Sequence, residues 1–282
     1  MSPFDPPLAA VREVVARALA EDLLPLGDLT AGLVDPSARG SGAVVARTAG
    51  VLAGSLCVTE TYAQVDPAAS VRFVLADGSS LAAGTKVAEL DGPLASLLSG
   101  ERTALNLLCH LSGVASLTRQ FVGAVGASST RVLDTRKTLP GLRALQKAAV
   151  RAGGGHNHRG SLSEMVLVKD NHRAALGVVD AVATARRRWP FRAVEVECDT
   201  VEQVEEAVAA GATAVLLDNM SPAEVRRCVD LVAGRALTEA SGGVTLDTAA
   251  AYAATGVDFV SVGALTMSAP SLDLGLDLGG GG

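Results

Sequence analysis

The sequence predicts an α/β protein whose second half is built on a parallel sheet, and three observations carry that prediction. Beyond Arg131 the apolar runs "VLD", "MVLVKD", "AVEVECD", "AVLLDN", "ALTEASG" and "FVSVGAL" each lead into a polar residue or glycine. Helical stretches such as "RAALGVVDAVATARRRW", "TVEQVEEAVAAGA", "SPAEVRRCVDLVAG" and "TLDTAAAYAATG" lie between them. The last four strand starts recur at roughly 22-residue intervals, the size of one strand–helix unit. Such alternation implies parallel strands. The polar strand ends favour a barrel with its chemistry at the C-terminal rim, and on periodicity alone a doubly wound open sheet stays open as the alternative.

The 282 residues suffice for one large domain or two ordinary ones. The opening "MSPFDPPLAAVREVVARALAEDL" reads as an amphipathic helix of mixed charge, without the apolar centre of a signal peptide. From Ala43 to Pro93 the pattern is short strands and turns, with Asp77-Gly78 expected to make a hairpin. Residues 95–125 read as helices interrupted near Ser112-Gly113. The closing "GGGG" is expected to be disordered and without function. Hydrophobic residues make up 49%, charged residues 19% and aromatics 3%, the composition of a soluble globule. A net charge of −6, with no aromatic-basic stripe, argues against nucleic acid, and no stretch is long enough to span a membrane. Cys57, Cys109, Cys198 and Cys228 lie far apart, which disfavours a zinc site or disulfide framework and makes a reducing cytoplasm the default.

Against that acidic background, residues 134–172 hold seven of the 24 Lys and Arg, three acids and three of the four histidines. Arg136 and Lys137 follow one strand and Lys169 ends another, both rim positions. His158-Arg159 follows Gly153-Gly154-Gly155 in a loop able to close over a ligand. Cations this close repel one another unless an anion is shared, and arginine forks suit carboxylates. Arg143, Lys147 and Arg151 are spaced i, i+4, i+8 on a helix and read instead as a solvated face; His110 and His156 read as structural.

In "AVEVECD", Glu195 and Glu197 share one strand face and the valines the other. If the valine face meets the outer helices, both carboxylates point into the barrel, and Asp218 reaches the rim from the next strand. A structural ion pair with the basic cluster is one reading. The other is a divalent cation, since carboxylate oxygens on neighbouring strand ends suit Mg²⁺. Ser241-Gly242-Gly243 lies between a late strand and a helix, with Gly263 ending the next strand. An ordinary turn is possible there, but glycine amides at a helix start also suit phosphate.

Taken together, "DTRKTLPGLRALQKAAVRAGGGHNHR", "VKDNH", "VEVEC", "LLDN", "EASGG" and "SVGALTMSAP" closely resemble the quinolinate phosphoribosyltransferase family. "LAEDLLPLGDLT" and "ERTALNLLCHLSG" extend the match over nearly the whole chain. The resemblance implies an N-terminal α/β sandwich over residues 1–112, joined by residues 271–282, and an irregular TIM-like (β/α) barrel over 113–270. It implies a pentosyltransferase of NAD biosynthesis, converting quinolinate and phosphoribosyl pyrophosphate to nicotinate mononucleotide, pyrophosphate and CO₂ with Mg²⁺. It further implies that Arg136, His158, Arg159 and Lys169 bind the two quinolinate carboxylates, and that Arg102 reaches in from the partner subunit of a homodimer. Lys137, Glu197 and Asp218 would serve the donor and its metal, and Ser241, Gly242, Gly243 and Gly263 its 5′-phosphate. Glu197 or Glu195 would stabilise positive charge at the ribose.

The chain departs from the family pattern at Met267, where His is usual, at Ser161-Leu162, where Gly-Leu is usual, and in the longer "EDLLPLGDLT". These departures leave room for a paralogue acting on another anionic acceptor. Two further rivals are a lyase using Lys169 as a Schiff base and a non-catalytic sensor of pyridine metabolites.

Overall fold

The computed structural model describes residues 4–279, and in it the chain falls into two compact units. The first comprises residues 4–119, 138–154 and 265–279; the second comprises residues 120–137 and 155–264. The elements run in order α1 (Leu8–Leu23), β1 (Arg39–Ala46), β2 (Gly50–Val51), α2 (Ser55–Val65), a helix where only strands and turns are expected, β3 (Ser70–Phe73), β4 (Ser80–Leu81), β5 (Lys86–Pro93) and α3 (Leu94–Val125). They continue as β6 (Arg131–Leu133), α4 (Arg143–Ala152), β7 (Val166–Val168), α5 (Asp170–Leu176), α6 (Val178–Arg188), β8 (Val194–Cys198) and α7 (Val201–Ala209). The last are β9 (Ala214–Asp218), α8 (Pro222–Val232), β10 (Leu237–Ser241), α9 (Leu246–Ala253), β11 (Phe259–Ser261), α10 (Ala264–Met267) and β12 (Leu274–Gly279).

In the first unit, β12, β1, β5 and β3 form an antiparallel sheet in that order. One face is apolar because Val44 and Ala46 alternate inward and meet Val58, Tyr62, Leu97 and Leu108 from α2 and α3. The other face carries solvent-exposed pairs, Arg72 with Glu89 and Arg47 with Asp277. The last strand pairs Leu276 with Val44, so the C-terminal segment completes this sheet. Gly279 lies in that strand; residues 280–282 of the expected disordered tail are outside the described residues.

Three further local expectations fail here. The helix α3 runs unbroken through Ser112-Gly113. Gly113 serves close approach rather than a break, since a Cβ there would sit 2.0 Å from the Pro270 carbonyl oxygen. Asp77-Gly78 is a turn but not a hairpin, because β3 pairs with β5 and β4 with β2. Asp77 instead accepts the amides of Gly54 and Ser55 at the start of α2. Finally, α4 is not a solvated face: Lys147 is buried, and Arg151 donates to the Phe4 carbonyl at 3.2 Å under the N-terminal segment. His110 is structural as expected, its Nε2 2.9 Å from Gln146 Nε2.

In the second unit, the described residues form six parallel strands in the order β6-β11-β10-β9-β8-β7. This is the chain order taken round a ring, with the seam between β6 and β7. A doubly wound sheet would reverse direction at a switch point, and this one does not. Residues from the ends of all six strands line a single cavity, so the sheet wraps into an incomplete barrel. Every residue of β8 is buried, as expected of a parallel strand covered on both faces. The helices start sharply after the strands: Ser221 and Thr245 form capping boxes on α8 and α9, and Thr200 caps α7. No helix among the described residues is long and apolar enough to cross a membrane.

Candidate active site

The barrel cavity has a volume of about 480 Å³ and opens at the C-terminal ends of the strands. Strand β6 is followed by Thr135, Arg136 and Lys137; β7 by Lys169; β8 contributes Glu197, β9 Asp218, and β10 Glu239 and Ser241. His158 and Arg159 complete the wall, so eight of the residues singled out in the sequence face one space.

Asp134 explains how two of them are held. It is fully buried at the end of β6, where an ionised carboxylate needs several donors. It accepts Asn157 Nδ2 at 2.5 Å and the His158 amide at 2.9 Å. The segment is further tied to β6 because the His156 amide donates to Val132 O at 2.8 Å and its carbonyl accepts the Asp134 amide at 3.1 Å. The expectation of a loop closing over a ligand therefore meets a segment already pinned to the first barrel strand.

His158 is held at both ring nitrogens. The Arg159 amide donates to Nδ1 at 2.8 Å, which makes Nδ1 an acceptor and places the ring proton on Nε2. Nε2 then faces Glu195 Oε2 at 3.0 Å and Glu239 Oε2 at 3.4 Å. The ring, expected to bind substrate, is thus engaged within the chain. Glu195, expected as a possible partner for developing charge, is buried under it, whereas Glu197 reaches the cavity. Burial first, and the neighbouring Glu195 second, push the Glu239 carboxyl up to about 8. Glu239 was not singled out from sequence. The signal was present, since "LTEAS" places Glu239 and Ser241 on one strand face just as "VEVEC" places Glu195 and Glu197.

Arg159 is buried, with Nη1 donating to the Met165 carbonyl at 3.1 Å. Burial and then the adjacent Arg136 cation lower the affinity of its guanidinium for a proton, while Glu195 raises it. Lys169 forms an ion pair with Glu197; the lysine side chain is 48% exposed, so the pair is open to exchange with a ligand. Burial raises the Asp218 carboxyl, followed by repulsion from Glu197 and Asp199, against the pull of Lys169 and Lys137. An all-oxygen pair of mutually repelling carboxylates on neighbouring strand ends fits Mg²⁺.

The glycine turn after β10 has a backbone only glycine suits. Gly242 has φ +84°, and a Cβ there would lie 2.2 Å from Asn219 Oδ1. Gly243 has φ +67° with open space around it. Asn219 itself is left-handed, donates its amide to Ser241 O at 2.9 Å and its side chain to Asp218 Oδ2 at 2.7 Å. The turn and the Asp218 carboxylate are therefore one hydrogen-bonded assembly. Gly263 leaves room for Lys137, whose Cδ would lie 3.0 Å from an added Cβ. Arg102 is not in this group: it lies exposed on α3, in the first unit, beside Glu21 and Asp22. Of the departures from the family pattern, Ser161 pairs with Ser163 at 2.9 Å and Met267 is exposed in the first unit.

Comparison with known proteins agrees over the whole length. The model "Quinolinate phosphoribosyl transferase, N-terminal domain" matches residues 28–112 and "Quinolinate phosphoribosyl transferase, C-terminal domain" residues 114–277. The chain is 44% identical over 277 residues to the nicotinate-nucleotide pyrophosphorylase [carboxylating] of Mycobacterium leprae, covering 95% of this chain and 97% of that one. It is 42% identical over 254 residues to the probable enzyme of that name from Bacillus subtilis, covering 89% and 88%. The solved nicotinate-nucleotide pyrophosphorylase of Francisella tularensis superposes with a TM-score of 0.94 at 35% identity, covering 99% of both chains. From its motifs, its barrel and these relatives alike, the chain belongs to the quinolinate phosphoribosyltransferase family.

Proposed function

We propose that this chain transfers the phosphoribosyl group of phosphoribosyl pyrophosphate to quinolinate with loss of CO₂, giving nicotinate mononucleotide and pyrophosphate. The observation that carries the reading is one cavity collecting Arg136, Lys137, Arg159 and Lys169 beside Glu197, Asp218 and the turn after Ser241. A dicarboxylate and a polyanionic donor need these two kinds of surface side by side. Arg136, Arg159 and Lys169 take the acceptor carboxylates, with Arg102 of a second copy completing the set. Lys137 and the amides of Ser241-Gly242-Gly243 hold the donor phosphates.

Glu197 and Asp218 would hold Mg²⁺, which when bound offsets charge on the departing pyrophosphate. As that bond breaks, positive charge grows at the ribose C1, and Glu197 stabilises it electrostatically. The Lys169–Glu197 ion pair suits this timing. An acceptor carboxylate draws Lys169 to itself and releases Glu197 from its ion pair for the donor side of the cavity. The ring nitrogen forms the new bond to C1; the quaternised ring then accepts the electron pair left by CO₂. No side-chain nucleophile is required, which also separates this reading from a Lys169 Schiff base.

The test is pyrophosphate release with Mg²⁺ and the donor, with and without quinolinate. Quinolinate-dependent release with formation of nicotinate mononucleotide is expected. Ligand binding without release would favour a sensor, and turnover with another acid but not quinolinate would favour a paralogue.

A further inference from the structure

We propose that Glu195 and Glu239 are positioning residues for acceptor binding: together they grip the His158 ring at Nε2, turn Nδ1 toward the Arg159 amide, and so set Arg159 in the cavity wall. Glu195 and Glu239 are 1% and 4% exposed, on β8 and β10, and His158 bridges them at 3.0 and 3.4 Å. The contact is not an ordinary ion pair. With Nδ1 occupied by the Arg159 amide at 2.8 Å, the imidazole carries its single proton on Nε2 and is neutral. A neutral ring offers the two glutamates no opposite charge, so it holds them through its Nε2–H, at 3.0 and 3.4 Å from their carboxylate oxygens.

The three ligand atoms lie within 4.8 Å of one another, a spacing a metal ion would also accept. The Arg159 amide argues otherwise. A neutral histidine ligating through Nε2 must carry its proton on Nδ1, where that amide already donates. The cluster is better described as a lock on ring orientation. Its consequence falls on the next residue, because the Nδ1 hydrogen bond fixes the backbone of Arg159, whose guanidinium is otherwise tethered to Met165. Glu239 also lines the cavity, so the lock adjoins the space that holds Arg136, Arg159 and Lys169.

This inference rests on quinolinate being the acceptor, and the experiment separates the two. Steady-state kinetics of Glu239→Ala and Glu239→Gln, varying quinolinate and donor separately, would be combined with ¹⁵N spectra of histidine-labelled protein. Glutamine can still accept from Nε2–H. It should remain within about threefold of wild type, while alanine raises the quinolinate KM about tenfold or more and the donor KM less than about twofold. The spectra should show His158 as the neutral Nε2–H form in wild type and glutamine variant, and a changed form in the alanine variant. A glutamine variant as impaired as alanine, or equal rises in both KM values, would overturn the proposal. So would an Nδ1–H signal in wild type, which decides the matter even if Glu239→Ala does not fold. Failure of wild type to use quinolinate would instead sink the functional reading, leaving the spectra to judge the lock.

Discussion

At the scale of residues, the cavity divides its cations by what they are tied to. Arg159 is braced by the Met165 carbonyl and crowded by Arg136, whereas Lys169 is paired with an exchangeable carboxylate. Arg159→Ala and Lys169→Ala should each raise the quinolinate Kd about 10- to 200-fold, from about 1.5–3 kcal/mol of charge-assisted bonding. Donor affinity should change far less, and titration calorimetry showing equal loss for both ligands would misplace these residues. A second prediction concerns pH. The Glu239 carboxyl is raised from 4.5 to about 8, so its stabilising contribution is complete below the lower value and lost as pH rises through the upper one. Glu239→Gln does not titrate. Its melting temperature relative to wild type should therefore become steadily more favourable from about pH 5 to about pH 8 and level off above that. A constant difference would mean that Glu239 ionises like an exposed carboxylate. Glu195 and Glu197 were legible in the sequence because two carboxylates alternate with valines. The lone Glu239 in "LTEAS" gives a weaker signal, a face shared with Ser241 only, because one acid on a short strand does not declare which face is inside.

At the scale of elements, the turn between β10 and α9 shows why two adjacent glycines are not equivalent. Gly242 is left-handed and packed against Asn219, while Gly243 is left-handed in open space. Gly243→Ala should cost only the local backbone penalty, about 1–2 kcal/mol. Gly242→Ala must also push away Asn219, which carries the Asp218 hydrogen bond. Donor KM should therefore rise markedly for Gly242→Ala and little for Gly243→Ala, as steady-state kinetics would show; equal effects would mean the turn does not hold the donor. The turn was visible in the sequence as Gly-Gly between a strand and a helix. Its coupling to Asn219 was not, because the register Ser241 with Asp218 belongs to the pairing of β10 with β9.

At the scale of the whole molecule, Arg102 lies in the first unit and is exposed, while the cavity is built entirely from the second. Leu24, Leu26, Leu29 and Leu33, in the same unit, are also exposed, at 70–86%. If Arg102 acts on a neighbouring subunit, Arg102→Ala and Arg159→Ala homodimers should both be nearly inactive. Subunit exchange between them should restore about a quarter of wild-type activity, since half of randomly assorted dimers carry one intact site of two. Exchange confirmed by mass spectrometry without recovered activity would exclude action in trans.

Local pattern determined the strand–helix alternation, the rim positions of Arg136, Lys137, Lys169 and Asp218, and the inward face of Glu197, because period and face are properties of neighbouring residues. Tertiary structure alone decided that the strands follow one another round a ring rather than reversing. It decided that Arg143, Lys147 and Arg151 lie on a covered helix, and that Gly113 admits a carbonyl instead of breaking one. It also turned Nε2 of His158 inward, toward groups 37 and 81 residues away along the chain. Each of these depends on which surfaces meet across long loops, and local periodicity carries no information about that.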